Sequence, residues 1–160
     1  MDINERKKVL RLFTYGLYAI GVRRGDEANA FTANWLTQIS FEPLLLALSV
    51  EKEAWSWPIL AETRVFSINV LATGQRELAG LLGKSRRKVG DKLAKLSWQP
   101  APLTGCPVLQ QDALAFAECH ITDIHPGGDS WLVVAEVINV QSLRDGEPLT
   151  MKEAGFRHAG

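Results

Sequence analysis

The chain is short of cysteine, of net charge and of long apolar runs, and each shortage removes a class of protein. Its two cysteines, Cys106 and Cys119, stand in unrelated contexts without metal-ligand spacing, so two buried reduced thiols are expected rather than a disulfide framework. Eighteen basic residues balance eighteen acidic ones. The basic excess that a general nucleic-acid or anionic-membrane binder sets against phosphate is therefore missing, and neither partner is expected. Neutrality also removes self-repulsion between copies, which favours association. The charged opening MDINERKKVLRLF has too short an apolar run for a signal peptide. No apolar run reaches the ~20 residues of a membrane span, and a cytoplasmic protein is expected. Familiar catalytic signatures are missing too. There is no GxGxxG after a strand, no Walker sequence, no HExxH, CxxC or GxSxG. Of the three histidines, His120 and His125 lie five apart on one strand-like run, hence on opposite faces, and cannot share a metal ion there. His158 is an isolated tail histidine. Catalysis, if any, then requires a cofactor brought in from outside.

What is present reads as one domain over residues 1–160 with a sizeable core. Asp2 and Glu5 make a helix-capping pattern, with Val9, Leu10 and Phe13 spaced for a buried stripe in a helix ending near Tyr15-Gly16. Leu17 to Val22 reads as a strand, and Arg23 to Asp26 as a turn. Leu44 to Val50 is continuously apolar, which suits a strand buried on both faces. A short helix is expected over 53–62, a strand over Val65–Leu71 and a helix over Gln75–Leu82 closed by Gly83. Two long strand-like runs, Ala113–His125 and Ser130–Leu143, flank the turn-forming Pro126-Gly127-Gly128-Asp129. The sum is a mainly β, predominantly antiparallel barrel with a few short helices. Residues 131–140 are apolar on both faces apart from Glu136 and Asn139. One face of such a strand fills a small barrel, so the other needs cover, and a second copy of the chain is the economical choice.

The stretch AFTANWLTQIS, residues 30–40, has an odd face. In an extended chain Thr32, Asn34, Leu36, Gln38 and Ser40 share one side, polar apart from Leu36 yet without a charge. A strand facing only water ordinarily recruits Lys, Glu or Arg. By itself the face could bond to water or to a neighbouring loop.

The order of elements resembles the flavin reductase-like family of FMN-binding split barrels. The resemblance runs through Thr32-Ala33-Asn34-Trp35-Leu36-Thr37-Gln38, then Pro43, LLLALSV and Lys52. It continues through Phe66-Ser67-Ile68-Asn69-Val70-Leu71, Gly105-Cys106-Pro107-Val108-Leu109 and Ala113 to Cys119. It ends in the hairpin Gly128-Asp129-Ser130-Trp131, Ala135-Glu136-Val137 and DGEPL. Together these cover roughly residues 9 to 150.

The resemblance implies a Greek-key antiparallel split β-barrel that dimerises, FMN held near the subunit interface, and NAD(P)H:flavin oxidoreductase chemistry. Neutral side chains and strand backbone can match the donor–acceptor edge of a flavin ring without burying charge. Candidate flavin contacts are Thr32, Ala33, Asn34, Trp35, Thr37, Gln38, Ile39 and Ser40. Candidate phosphate ligands are Lys52, Ser56 and the Arg86-Arg87-Lys88 run, Arg87 and Lys88 foremost. That run lies within a basic stretch over 84–92 that otherwise reads as a solvated helix face, and one or two of its members are expected to meet the phosphate. Outside that resemblance Lys52 is an ordinary solvated lysine, and Trp55 and Trp57 either cover a cofactor or plug the barrel end. Ser130 stands where many relatives have a histidine associated with the nicotinamide, which puts NAD(P)H oxidation in question; His125, across the turn, is a possible substitute. The tail departs from the family's usual aromatic, basic ending but keeps Phe156, Arg157 and His158. Two activities follow: a reductase passing electrons to free flavin or an acceptor protein, or a flavin-holding electron-transfer module serving a rubredoxin-like or oxygenase partner. A weaker third reading is a barrel for another planar ligand.

Overall fold

The computed structural model describes residues 1–158. After the helix α1 (Ile3–Leu10) come strands β1 (Tyr18–Arg24), β2 (Glu27–Ala33), β3 (Leu36–Ser40) and β4 (Leu45–Glu51). Helix α2 (Trp57–Thr63), strand β5 (Val65–Val70) and helices α3 (Arg76–Gly83) and α4 (Arg86–Val89) follow. The two-residue strands β6 (Gln99–Pro100) and β7 (Pro107–Val108) precede the long β8 (Ala115–Gly127) and β9 (Ser130–Ser142), and α5 (Met151–Ala154) comes last.

Seven strands form one antiparallel sheet in the order β2-β1-β5-β8-β9-β4-β3. The outermost strands, β2 and β3, are consecutive in the chain. Only Asn34 and Trp35 separate them, and three Cα–Cα steps span at most about 11 Å. The two edges of the sheet therefore meet at this corner, and the sheet is rolled rather than flat. No ladder joins β2 to β3 among the described residues. The roll stays split along that seam.

Inside the roll lies a core of Ile20, Val22, Leu48, Val50, Phe66, Ile68, Cys119, Ile121 and Val133. A second core, with Leu17, Ala19, Leu71, Ala79, Leu82, Leu149 and Met151, lies where α3 and α5 pack. Leu17 and Ala19 alternate with Ile20 and Val22, so β1 is buried on both faces. The approach is close: a Cβ on Gly21 would come within 2.5 Å of the Pro107 carbonyl.

The β8–β9 hairpin pairs from Ala115↔Ser142 to Gly127↔Ser130, leaving Gly128 (φ 73°) and Asp129 as its two-residue turn. The expected hairpin is there, its first strand starting and ending two residues later than read. Both cysteines are buried and free. Burial pushes the Cys119 thiol up to about 12, which keeps it an inert thiol.

Several expectations change. Residues 30–40 are not one strand, because the chain turns the corner at Asn34-Trp35. The N-terminal helix caps on Asp2, whose Oδ1 accepts from the Glu5 amide at 2.8 Å. It stops at Leu10, however, and buries none of its residues; Phe13 is 57% exposed. Glu5, Arg6, Lys7 and Lys8 occupy half of it, too polar a surface to bury. The expected 53–62 helix begins only at Trp57, beside Pro58, which suits a first helical turn. The 44–50 run is not buried on both faces: Leu48 and Val50 are buried, Leu45 to Ala47 are half-buried and Leu44 is exposed. On β9, Leu132, Ile138 and Val140 stay exposed, the last at 67%. No described helix is long and apolar enough to cross a membrane.

Candidate functional site: a cleft along the split seam

A cleft of about 470 Å³ opens along the seam, walled by β2, the β2–β3 corner, the end of β4, the segment before α2, and the α3–α4 loop. The size suits a small organic ligand. Its residues divide into a cationic end, a neutral middle and an aromatic mouth.

At the cationic end the chain places Lys84, Ser85, Arg86, Arg87 and Lys92. The Arg86 guanidinium lies 4.3 Å over the Trp55 ring and donates to the Ala28 carbonyl, with Asp91 at 3.4 Å. Arg87 donates to the Glu53 carbonyl at 2.7 Å. Lys92 is buried, 4% exposed. Its ammonium donates to the carbonyls of Leu82 (2.6 Å) and Lys84 (2.9 Å), tying the C-terminus of α3 to the loop. Among the described residues no carboxylate comes within ion-pair distance of it. Burial, and secondarily the Arg86 charge, bring Lys92 down to about 8. A buried cation held only by carbonyls is a costly arrangement unless an anion completes it.

Asn29 and Ser56, both buried, lie deeper. The Asn29 amide nitrogen donates to the Ser56 hydroxyl at 2.8 Å, and its Oδ1 has no partner. Whichever way the amide is turned, Ser56 serves one end of it and the other is left over. An unpartnered buried polar atom costs about 1–3 kcal/mol. In a cleft wall it is an open hydrogen-bonding position for a ligand.

The middle of the cleft is lined by Phe31, Thr32, Ala33 and Asn34. The hydroxyl of Thr32 donates to the Ala79 carbonyl at 2.6 Å. The Asn34 amide donates to Met151 Sδ at 2.8 Å and to the His158 carbonyl at 3.2 Å. These donors are committed to α3 and the C-terminal segment. At the mouth, Trp35 and His158 lie 5.4 Å apart, centroid to centroid, with His158 also 4.0 Å from Glu51. Met151 and Phe156 line this end.

Of the residues marked by sequence, Thr32, Ala33, Asn34, Trp35, Trp55, Ser56, Arg86, Arg87, Ser130, Phe156 and His158 line the cleft. Thr37, Gln38, Ile39 and Ser40 sit on β3, beyond the corner and outside that lining. Gln38 donates to the Ser40 carbonyl at 3.2 Å. Lys52 lies 5.1 Å over Trp131, and Trp57 stacks on the same Trp131 at 5.2 Å, so that tryptophan pair packs at the hairpin end. Lys88 and His125 are exposed and do not line the cleft. Sequence reasoning did not single out Asn29 or Met151, and it held Lys92 only as one member of the basic 84–92 run. Lys92 closes a basic run that is mostly solvated, and nothing local distinguishes it; Asn29 sits one turn of alternation before the neutral stretch.

A family model, Flavin reductase like domain, matches residues 10–160. A relative in Streptomyces viridifaciens, an NADPH-flavin oxidoreductase, is 30% identical over 92% of this chain and 76% of its own length. Among solved structures, an FMN-binding protein from Thermus thermophilus with bound 1-cyclohex-2-enone superposes with TM-score 0.74 at 28% identity, covering 81% of this chain and 71% of the other. The NADH:FAD oxidoreductase SgcE6 of Streptomyces globisporus C-1027 superposes with TM-score 0.78 at 28% identity, covering 89% and 86%. The rolled antiparallel sheet is thus that of a flavoprotein oxidoreductase. The chain belongs to the flavin reductase-like family.

Proposed function

We propose that the seam cleft holds FMN, with the phosphate at the Lys84–Lys92 end and the ring toward Trp35, and that the chain is an NAD(P)H:flavin reductase. The observation that carries this reading is the buried Lys92 without a carboxylate partner, flanked by Arg86 and Arg87 at one end of an otherwise neutral cleft. A phosphate dianion supplies the missing countercharge. The open Asn29 position and the neutral Phe31–Asn34 wall suit an uncharged polar heterocycle and its side chain.

A bound flavin supplies hydride and single-electron chemistry. The chain's own part is positional. Arg86 is held over the Trp55 ring, and Lys92 fixes the loop that carries Lys84 and Ser85. The Thr32 and Asn34 bonds lock the corner against α3 and the tail, which keeps the walls at a fixed spacing. Ser130 is buried at the cleft and hydrogen-bonds Asp129 at 3.1 Å, a small side chain that leaves room beside the ring.

The exposed apolar side chains Leu132, Ile138 and Val140 on β9 support a homodimer with β9 in its interface. Electrons then pass to free flavin or to an acceptor protein. Purified protein loaded with FMN is expected to be yellow and to bleach anaerobically with NAD(P)H. Bleaching by dithionite but by neither nucleotide would instead make it an electron-transfer domain. Failure to take up any flavin removes both readings.

A further inference from the structure

A second cavity of about 500 Å³ lies between the segment after α1 and the C-terminal segment. Three cations line it: Arg11, Lys152 and Arg157. Among the described residues none of the three makes an ion pair, and no aspartate or glutamate lines the cavity. The nearest acid in sequence, Glu153, is turned away, its carboxylate accepting from the Thr73 hydroxyl and from the Gly74 amide at 3.0 Å. Phe13 and Tyr15 supply aromatic surface in the same wall. The lining of such a hollow is positive, and its cations have no ion-pair partner among the described residues.

Its position adds to its charge. Met151 and Phe156 line both this cavity and the seam cleft, so the two are neighbours across a shared wall. A ligand reaching over that wall can place a ring at the flavin cleft and anionic groups among Arg11, Lys152 and Arg157.

We infer that this cavity binds the 2′-phosphate-bearing adenosine half of NADPH and makes the protein prefer NADPH to NADH. The inference rests on the reading of the chain as a pyridine-nucleotide-dependent flavin reductase. The chemistry is that of nucleotide discrimination in general. A carboxylate selects the free ribose 2′-hydroxyl of NADH and repels a 2′-phosphate, whereas guanidinium groups accept the phosphate. Here the cavity holds two guanidinium groups, one ammonium and no carboxylate. The extra dianion of NADPH gains contacts that NADH cannot make.

The FMN-loaded protein is titrated calorimetrically at low ionic strength with 2′,5′-ADP, with 5′-AMP and with inorganic phosphate. Binding of 2′,5′-ADP about tenfold tighter than 5′-AMP is expected, the worth of one charge-assisted hydrogen bond. Arg157→Ala and Lys152→Ala, both at exposed side chains, should each weaken 2′,5′-ADP several-fold and raise the KM for NADPH more than that for NADH. Equal binding of the two adenosine phosphates overturns the inference, as does binding of inorganic phosphate as tight as 2′,5′-ADP. Equal loss of NADPH and NADH in the variants overturns it too. These outcomes are separable from failure of the reductase reading. That failure appears as no reduction of the FMN-loaded protein by either nucleotide, while the fragment titration needs no turnover and still decides whether the cavity selects a 2′-phosphate.

Discussion

Glu118 and Lys92 are both buried charges, and their surroundings could hardly differ more. Glu118, fully buried on β8, accepts from the amides of Leu103 (3.0 Å) and Thr104 (2.7 Å) and from the Thr104 hydroxyl (2.9 Å) with one oxygen. Its other oxygen accepts from Asn139 at 2.7 Å. Burial works against the carboxylate, but these four hydrogen bonds outweigh it and hold the group below its usual range. Lys92 has two carbonyls and no countercharge, and its ammonium is shifted toward neutrality. The first charge is complete within the chain, so its work is to pin the 103–104 loop to the hairpin. The second is incomplete, and what completes it must come from outside. Satisfaction of a buried charge separates a structural group from a ligand site more clearly than burial itself.

Breaking Glu118 should give the largest effect. Glu118→Ala leaves two amides, a hydroxyl and the Asn139 side chain unpaired, and should cost about 3 kcal/mol in a urea melt. The FMN affinity of the remaining folded protein should not change. Lys92→Met should do the reverse. FMN binding should weaken about thirtyfold, roughly 2 kcal/mol, while stability without flavin holds or rises, because an unpaired buried cation has been replaced by an apolar chain of similar length. Loss of stability without loss of FMN affinity would put Lys92 in the structural class with Glu118.

The comparison sharpens with pH. The Lys92 pKa of about 8 in the folded chain lies below its ordinary value of 10.5. Between these values the unfolded chain holds more protons than the folded one, so this group's contribution to the stability of the flavin-free protein improves as pH rises from about 8 towards 10.5. A phosphate favours the protonated ammonium, so FMN affinity should fall over the same rise. Opposite slopes in thermal melts and fluorescence titrations are the expected signature. The smallest effect belongs to Asn29→Ala. It removes one neutral hydrogen-bonding position and should weaken flavin about fivefold, near 1 kcal/mol, measured by the same titration.

The strands were largely legible because their turns carry their own chemistry. Gly128-Asp129 fixes the hairpin, and apolar runs mark β5, β8 and β9. The corner at Asn34-Trp35 was not legible, since alternation of side chains continues across it and neither glycine nor proline interrupts it. Its existence follows from where the sheet's two edges must meet, a non-local fact. The neutral 32–34 stretch does line the cleft, yet its donors serve α3 and the tail. The incompletely satisfied groups, Asn29 and Lys92, come from elsewhere in the chain. Lys92 looks in sequence like any solvated lysine, because its burial depends on α3 folding over β2. The exposed N-terminal helix misled for the opposite reason: its apolar spacing is real, but half of the helix is charged and none of it is buried.

The most direct test of the account is a titration of flavin-free protein with FMN and with riboflavin, which differ only in the phosphate, followed by quenching of flavin fluorescence. FMN should bind the wild-type chain at least about tenfold tighter than riboflavin, and Lys92→Met should erase most of that gap. Equal affinities in the wild type, or a gap untouched by the substitution, would contradict the assignment of the buried lysine to the phosphate.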